Sequence, residues 1–468
     1  MARIVVSGGG ICGMAGALML ARDGHEVVVL ERDATPVPDD VEAAWSWPRR
    51  AIAQFRFAHL LLPAGYAVIA TELPDVAARL RDAGGLRWNP VVDALAQIPG
   101  ATVRPDDDRF ASITARRSTI EWAFASTLAA APGVEVRRGV AVDGLVTGPS
   151  RLDDVPHVVG VRLAGGEEVR GDLVLDATGR RSPTGDWLAA IGARPPLERS
   201  EDVGFTYTGR FWRSADGSVP PAHAPALTAC GSISLLSIPS DNGTWSTTIY
   251  TASDDAPLRK VRDPATFERV WRAFPDHAHW LDGEPLSELS TMSGVVDRTR
   301  RFVVDGTPVA TGILTVADAH SCTNPSIGRG ITIGLRHTVV ARDAVRVHLD
   351  DPVALALAFD AATTSEVEPW HEATAALDRG RMRELRAAID GVTLEPTPEA
   401  AVGAALATAA ATDADALRWY SEMLACLALP SDVMARPGVF DRVLELAADA
   451  RPAPPYGPDR HDLLELIA

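Results

Sequence analysis

The chain has 468 residues, 46% of them apolar and 23% charged, and a net charge of −17. That length suits two or three domains of roughly 100–200 residues. The composition is that of a globular enzyme, and the negative charge argues against a general nucleic-acid or anionic-membrane binder. Cys12, Cys230, Cys322 and Cys426 are scattered. They form neither a metal spacing nor a disulfide framework, so no metal site is expected and a cytoplasmic location is.

Residues 2–33, "ARIVVSGGGICGMAGALMLARDGHEVVVLERD", predict a strand at Ile4–Val6, a glycine turn, a helix from about Cys12 to Arg22 and a second strand that closes with Glu31. Gly8, Gly10 and Gly13 form G-x-G-x-x-G. The first glycine makes the tight turn, the second lets backbone approach a pyrophosphate, and the third lets helix and strand pack closely. The phosphates then meet the unpaired amides of the helix N-terminus. Glu31, 18 residues after Gly13, stands where an acid accepts from a ribose hydroxyl, which favours FAD or NAD.

Next come "WSWPRR" (45–50), with Arg49 and Arg50, and "QFRFAHLLLP", with His59. "ITARRSTIEWAFASTLAAAPGVEVRRGVAV" predicts a helix that starts near Arg116-Arg117 and carries Glu121. "GDLVLDATGRRSPTGDWLAAIG" (171–192) is an apolar strand that runs into Asp176-Ala-Thr-Gly179. Between 200 and 255, "VGFTYTGRFWR", "SISLLSIPS" and "TWSTTIYTA" predict an antiparallel sheet. "PATFERVWRAF" (264–274) predicts a helix, and "RRFVVDGTPVATGILTVADA" a strand, an Asp-Gly turn and a strand that leads into Asp318.

The stretch "VADAHSCTNPSIGRGITIGL" (316–335) then sets Asp318, Asn324, Pro325, Gly328, Gly330 and Ile331 ahead of a helix. Beyond it, helices are predicted at 338–349, 352–391, 398–411, 413–428 and 438–450, and "RPAPPYGP" as an extended arm. The alanine-rich run 400–411 is too short and weakly apolar for a bilayer, which needs about 20 residues, so no membrane span is expected.

The fingerprint at Gly8, the D-A-T-G-R-x-S turn at 176–182 followed by Trp187-Leu188, and D-x-x-x-x-x-N-P-x-x-G-x-G-x-T from Asp318 to Thr332 together resemble the FAD-dependent monooxygenase superfamily, the para-hydroxybenzoate hydroxylase fold. The likeness is to its bacterial natural-product epoxidases and hydroxylases. It implies an α/β fold: a Rossmann-like FAD domain from 1–75, 105–185 and 290–345, an antiparallel substrate-side sheet in 76–104 and 186–289, and a helical region over 346–468.

The resemblance also implies roles. Arg117 would reach the flavin side, with Glu121 in the family's acid place. Asp318 would hold the ribityl chain, and Asn324 to Ile331 would lie against the ring. Asp176, Gly179 and Arg32 would join the cofactor site, and Arg49 or Arg50 would lie above the isoalloxazine. The family's usual Gly-Asp is here Ala317-Asp318, and its histidine is displaced by one to His320.

The implied reaction is oxygen transfer from a flavin C4a-hydroperoxide to a hydrophobic or aromatic small molecule, by hydroxylation or epoxidation. O2 is the co-substrate. Electrons come from NADPH or NADH, either directly or through a separate flavin reductase. A phenol would need a base, for which His59, His320 and Asp176 are the candidates. The alternatives are a flavin dehydrogenase or reductase, and a flavin-binding protein without turnover. A halogenase fits poorly, because W-x-W-x-I-P is incomplete at Trp45–Pro48 and Lys260 is the only lysine.

Overall fold

The computed structural model describes residues 1–52, 54–449 and 457–468, so the predicted arm lies outside the described residues at 451–456. The core is a five-stranded parallel sheet in the order Ile313–Thr315, Leu173–Asp176, Arg3–Ser7, Glu26–Glu31, Val134–Arg138. Ile4, Val5 and Val6 are fully buried, as expected of a strand covered on both faces. Burying each such side chain contributes about 1.5–3 kcal/mol. The helices Ile11–Arg22, Arg117–Ala129 and Gly330–His348 pack into the same core. A three-stranded antiparallel sheet over 142–170, which sequence periodicity did not announce, forms a second core with Val5, Val28 and Val174.

The second predicted sheet is antiparallel, with Phe205–Arg213, Ile233–Pro239 and Thr244–Ala252 near the predicted places. Asn242 and Gly243 both have positive φ (53° and 64°) in the turn between the last two strands, the conformation of a primed hairpin turn. The predicted strand–turn–strand before Asp318 is more broken than expected. Asp297–Arg301 is followed by a small hairpin, Val303–Val304 with Thr307–Pro308, and only then by Ile313–Thr315.

The single helix expected over 352–391 is two, Pro352–Glu366 and Glu368–Asp390. Pro369 has no N–H to donate and disfavours helical geometry in the residue before it, which starts a new helix there. The last helix, Arg460–Leu466, leaves the helical region and packs Leu463 and Ile467 on Leu258, Phe267 and Trp271 beside the antiparallel sheet. Lys260 Nζ donates to the Ile467 and Ala468 carbonyls there (2.8 and 3.2 Å). Among the described residues no helix is long and apolar enough to cross a membrane.

Candidate functional site

The two glycine-led helices meet at their N-termini. A Cβ on Gly334 would lie 2.6 Å from Cys12 Sγ and 3.0 Å from Ala317 Cβ, so both helices and the turn before Asp318 close on one point. The glycines sort by what surrounds them. Gly8 has φ +107°, and a Cβ there would sit 2.5 Å from the Ala177 carbonyl; a Cβ on Gly13 would sit 1.9 Å from the Gly8 carbonyl. Those two serve packing. At Gly10 and Gly179 a Cβ would meet nothing, and at Gly328 and Gly330 only distant side-chain atoms, at 3.9 and 3.7 Å. These positions border open space. Neither helix has a side-chain cap, so their first-turn amides are free to receive an anion. Pro325 begins the short turn before Gly328, and Ile331 is half-buried in the first turn of the second helix.

A buried ladder of alternating charge runs beneath this cradle. Glu31 accepts from Gly9 N–H (3.1 Å), Asp33 N–H (2.8 Å) and Arg49 Nη2 (3.2 Å). Arg49 also donates to the Gly9 carbonyl (2.8 Å) and, through Nε, to Glu121 Oε2 (3.0 Å). The other oxygen of Glu121 accepts two bonds from Arg117 (2.8 and 2.7 Å). Arg117 Nη1 then lies 3.4 Å from His59 Nε2. Arg49, expected above the ring, instead braces the glycine turn through the Gly9 carbonyl, and Arg50 is exposed. Arg32 is exposed beside Glu31, outside the ladder.

The paired arginines part in the structure, Arg117 to Glu121 and Arg116 to Asp241. Arg116 turns the other way and forms a buried pair with Asp241 of the antiparallel sheet's hairpin (Nη2 to Oδ2, 2.7 Å). Its backbone N–H and Thr119 also donate to Asp241 (2.6 and 2.9 Å), which ties sheet to cradle.

Three base candidates are otherwise engaged. Asp176 Oδ1 accepts from Thr178 N–H and hydroxyl (2.9 and 2.6 Å), and Oδ2 accepts from Ser182 (2.6 Å) and Thr184. It holds its own turn rather than a ligand. His59 Nδ1–H donates to the Phe57 carbonyl (2.9 Å), leaving Nε2 to accept from Arg117. Burial and the Arg117 charge push its pKa down to about 3, so it steadies Arg117 as a neutral ring. His320, expected at the flavin, packs instead on Phe302, His337 and Phe359 and touches Ser321 through Nδ1 (2.9 Å). Burial holds it at about 3 as well. The tight turn Ala317–Ala319 sends the two residues apart, Asp318 toward Arg117 and His320 into the apolar cluster.

Asp318 is half-buried, and among the described residues nothing donates to its carboxylate. Burial raises its pKa, against Arg117, Arg180 and Arg298. Cys12 is an inert packing thiol, pushed up to about 12 by burial. Ala317, where the resembling family has glycine, is not in strand geometry but left-handed, at φ 53°. That conformation costs an alanine about 1 kcal/mol or more. Ala317→Gly is therefore expected to stabilise the protein by about 1 kcal/mol, read as a higher melting temperature. An unchanged or lower value would mean the turn is unstrained.

Sequence reasoning missed four residues under the Asn324–Gly330 loop. Tyr207 donates to Asn324 Oδ1, Tyr250 to the Ser326 carbonyl (3.0 Å), Asp297 accepts from Asn324 N–H (2.8 Å), and Asp378 accepts from the Ser326 hydroxyl. One signal was readable: Asp378 is an acid on the stripe Trp370, Thr374, Ala375, Met382, Leu385, at helical spacing among buried residues.

No family model matches the chain. It is 27% identical to Protein Rv3254 of Mycobacterium tuberculosis over 358 residues, 70% of each chain. Solved structures with a similar fold include PqsL, a probable FAD-dependent monooxygenase from Pseudomonas aeruginosa (TM-score 0.58, 18% identity, 82% of this chain and 99% of that one). The Diels-Alderase PyrE3 of pyrroindomycin biosynthesis is similar too (0.57, 17%, 91% and 81%). So is the flavin-dependent brominase Bmp2 (0.56, 14%, 95% and 92%). These likenesses give the chain the fold shared by PqsL, PyrE3 and Bmp2.

Proposed function

We propose that the chain binds FAD along this cradle and is a monooxygenase that hydroxylates or epoxidises a hydrophobic or aromatic small molecule. The observation that carries the reading is the convergence at Cys12, Gly334 and Ala317 of two uncapped helix N-termini bordered by open glycines. The residues suit the cofactor. Gly10 and the first helix would receive the pyrophosphate, Glu31 the ribose, Asp318 the ribityl hydroxyls, and Asn324 to Ile331 the ring. Asn324 Nδ2 is buried and has no acceptor among the described residues, so it can donate to a ring heteroatom. Bound and reduced, FAD supplies the activation of O2; the chain orients it and places helix N-termini near the charge that reduction brings.

The engagement of His59, His320 and Asp176 favours oxygen transfer that needs no substrate base, such as epoxidation. PqsL has been crystallised with 2-aminobenzoylacetate, which fits a small aromatic substrate class. Lys260, bound to the C-terminal carbonyls, is not available as a halogenation lysine. The electron donor would be NADPH or NADH, direct or through a reductase partner.

Two measurements test this. Flavin extracted from the purified protein should be FAD. Asp318→Ala, folded by circular dichroism, should retain at least ten-fold less of it. With reductant and 18O2, label should enter the product. A substrate turned over with no label incorporated would replace the monooxygenase reading with the dehydrogenase or reductase one.

A further inference from the structure

The loop that would face the ring rests on a group of buried acids and phenols that the glycine motifs do not require. Tyr207 and Tyr250 are register partners on neighbouring strands, with rings 4.6 Å apart and edge to face. From the sheet side they grip Asn324 and Ser326. From the other side come Asp297, at the start of its strand, and Asp378, on Glu368–Asp390. Both carboxylates are nearly inaccessible (3% and 2% exposed). One oxygen of each, Asp297 Oδ2 and Asp378 Oδ2, has no hydrogen-bond partner among the described residues.

The surrounding charges leave room for a proton. Around Asp378 stand Asp297, Tyr207, Tyr250, Arg329 and Arg379. Around Asp297 stand His371, Glu201 and Arg379. Neither nearby arginine pairs with the acids. Arg329 donates to Thr374 and the Met423 carbonyl (3.3 and 2.5 Å), and Arg379 donates to Glu201 (3.0 Å). Asp297 raises Asp378, and with no cation paired to either, ionising both is disfavoured. Burial lifts Asp378 to about 7, against the Ser326 hydrogen bond.

A negative charge that arrives across the loop makes ionisation of the pair still less favourable. We propose that Asp378 and Asp297 form a proton-holding pair beneath the loop, which takes up one proton from solvent when a reductant delivers two electrons to FAD bound against it. The only bond formed on the protein is a carboxyl O–H. The electrons come from the added reductant and stay on the flavin. This rests on the FAD reading above, but the pair itself can be tested without flavin.

In flavin-free protein, 13C NMR of the aspartate carboxyls should show one group titrating near neutral pH that is missing in Asp378→Asn. In the FAD-loaded protein, reductive titration with dithionite between pH 6 and 8 should show a steeper fall of midpoint potential with pH than in Asp378→Asn. The difference should reach one proton per two electrons. Ser326→Ala removes the bond that favours the ionised acid, so it should move the uptake window to higher pH; this arm decides the matter if Asp378→Asn does not fold. Equal slopes in wild type and Asp378→Asn, or an unmoved window in Ser326→Ala, overturn the proposal. Failure to bind FAD with the NMR titration intact overturns the cofactor reading alone.

Discussion

Glu121→Ala is expected to lose about 3–5 kcal/mol of stability, enough to leave little folded protein. Glu121 is fully buried and accepts from two arginines at once, Arg49 and Arg117. Without it, two nearly inaccessible guanidiniums share the charge of Glu31 and Asp33 at one end and have a neutral histidine and the unbonded Asp318 at the other. An uncompensated buried charge is expensive because burial has already removed its hydration. The comparison is Arg22→Ala, which breaks the solvent-exposed pair with Asp75 and should change stability by less than about 1 kcal/mol. Soluble yield and melting temperature in the two variants measure the difference. A Glu121→Ala protein that melts like Arg22→Ala would mean that the ladder contributes nothing as an ion network.

The backbone of the cradle was legible in the sequence because its causes are local. G-x-G-x-x-G after an apolar run fixes a strand, a turn and a helix, and the structure has them at Arg3–Ser7 and Ile11–Arg22. Alternating aromatic and β-branched residues likewise announced the sheet that carries Tyr207 and Tyr250. The ladder was not legible. Arg49 and Glu121 are 72 residues apart, and no spacing rule links them. Asp176 and Asp318 look alike in sequence, each an acid at the end of an apolar strand. They differ only in whether neighbouring hydroxyls have already taken the carboxylate. His320 was placed with Asp318 by adjacency, yet one tight turn separates their side chains, and that turn depends on a left-handed alanine that residue type alone disfavours.

Buried neutral histidines make a second large effect, on acid stability. Burial holds His320 at about 3 and His277 at about 4, against about 6.5 in an unfolded chain. Between those values the unfolded chain binds more protons than the folded one, so stability present above pH 6.5 is lost as pH falls. At pH 5 each of the two has lost about 2 kcal/mol. His337 and His371 are lowered by burial too and act in the same direction. Asp378 opposes them: raised to about 7, it binds a proton in the folded state first and returns about 2–3 kcal/mol between pH 8 and 5. Asp297 and Asp318, also raised by burial, act with Asp378, but His59, lowered to about 3, joins the four histidines on the other side, so urea midpoints should still fall from pH 6.5 to 5. His320→Gln should flatten that fall by about one proton, or about 2 kcal/mol at pH 5, while Asp378→Asn should steepen it. If His320→Gln follows the wild-type curve, the loss at low pH has another source and the ring is not held neutral in the fold.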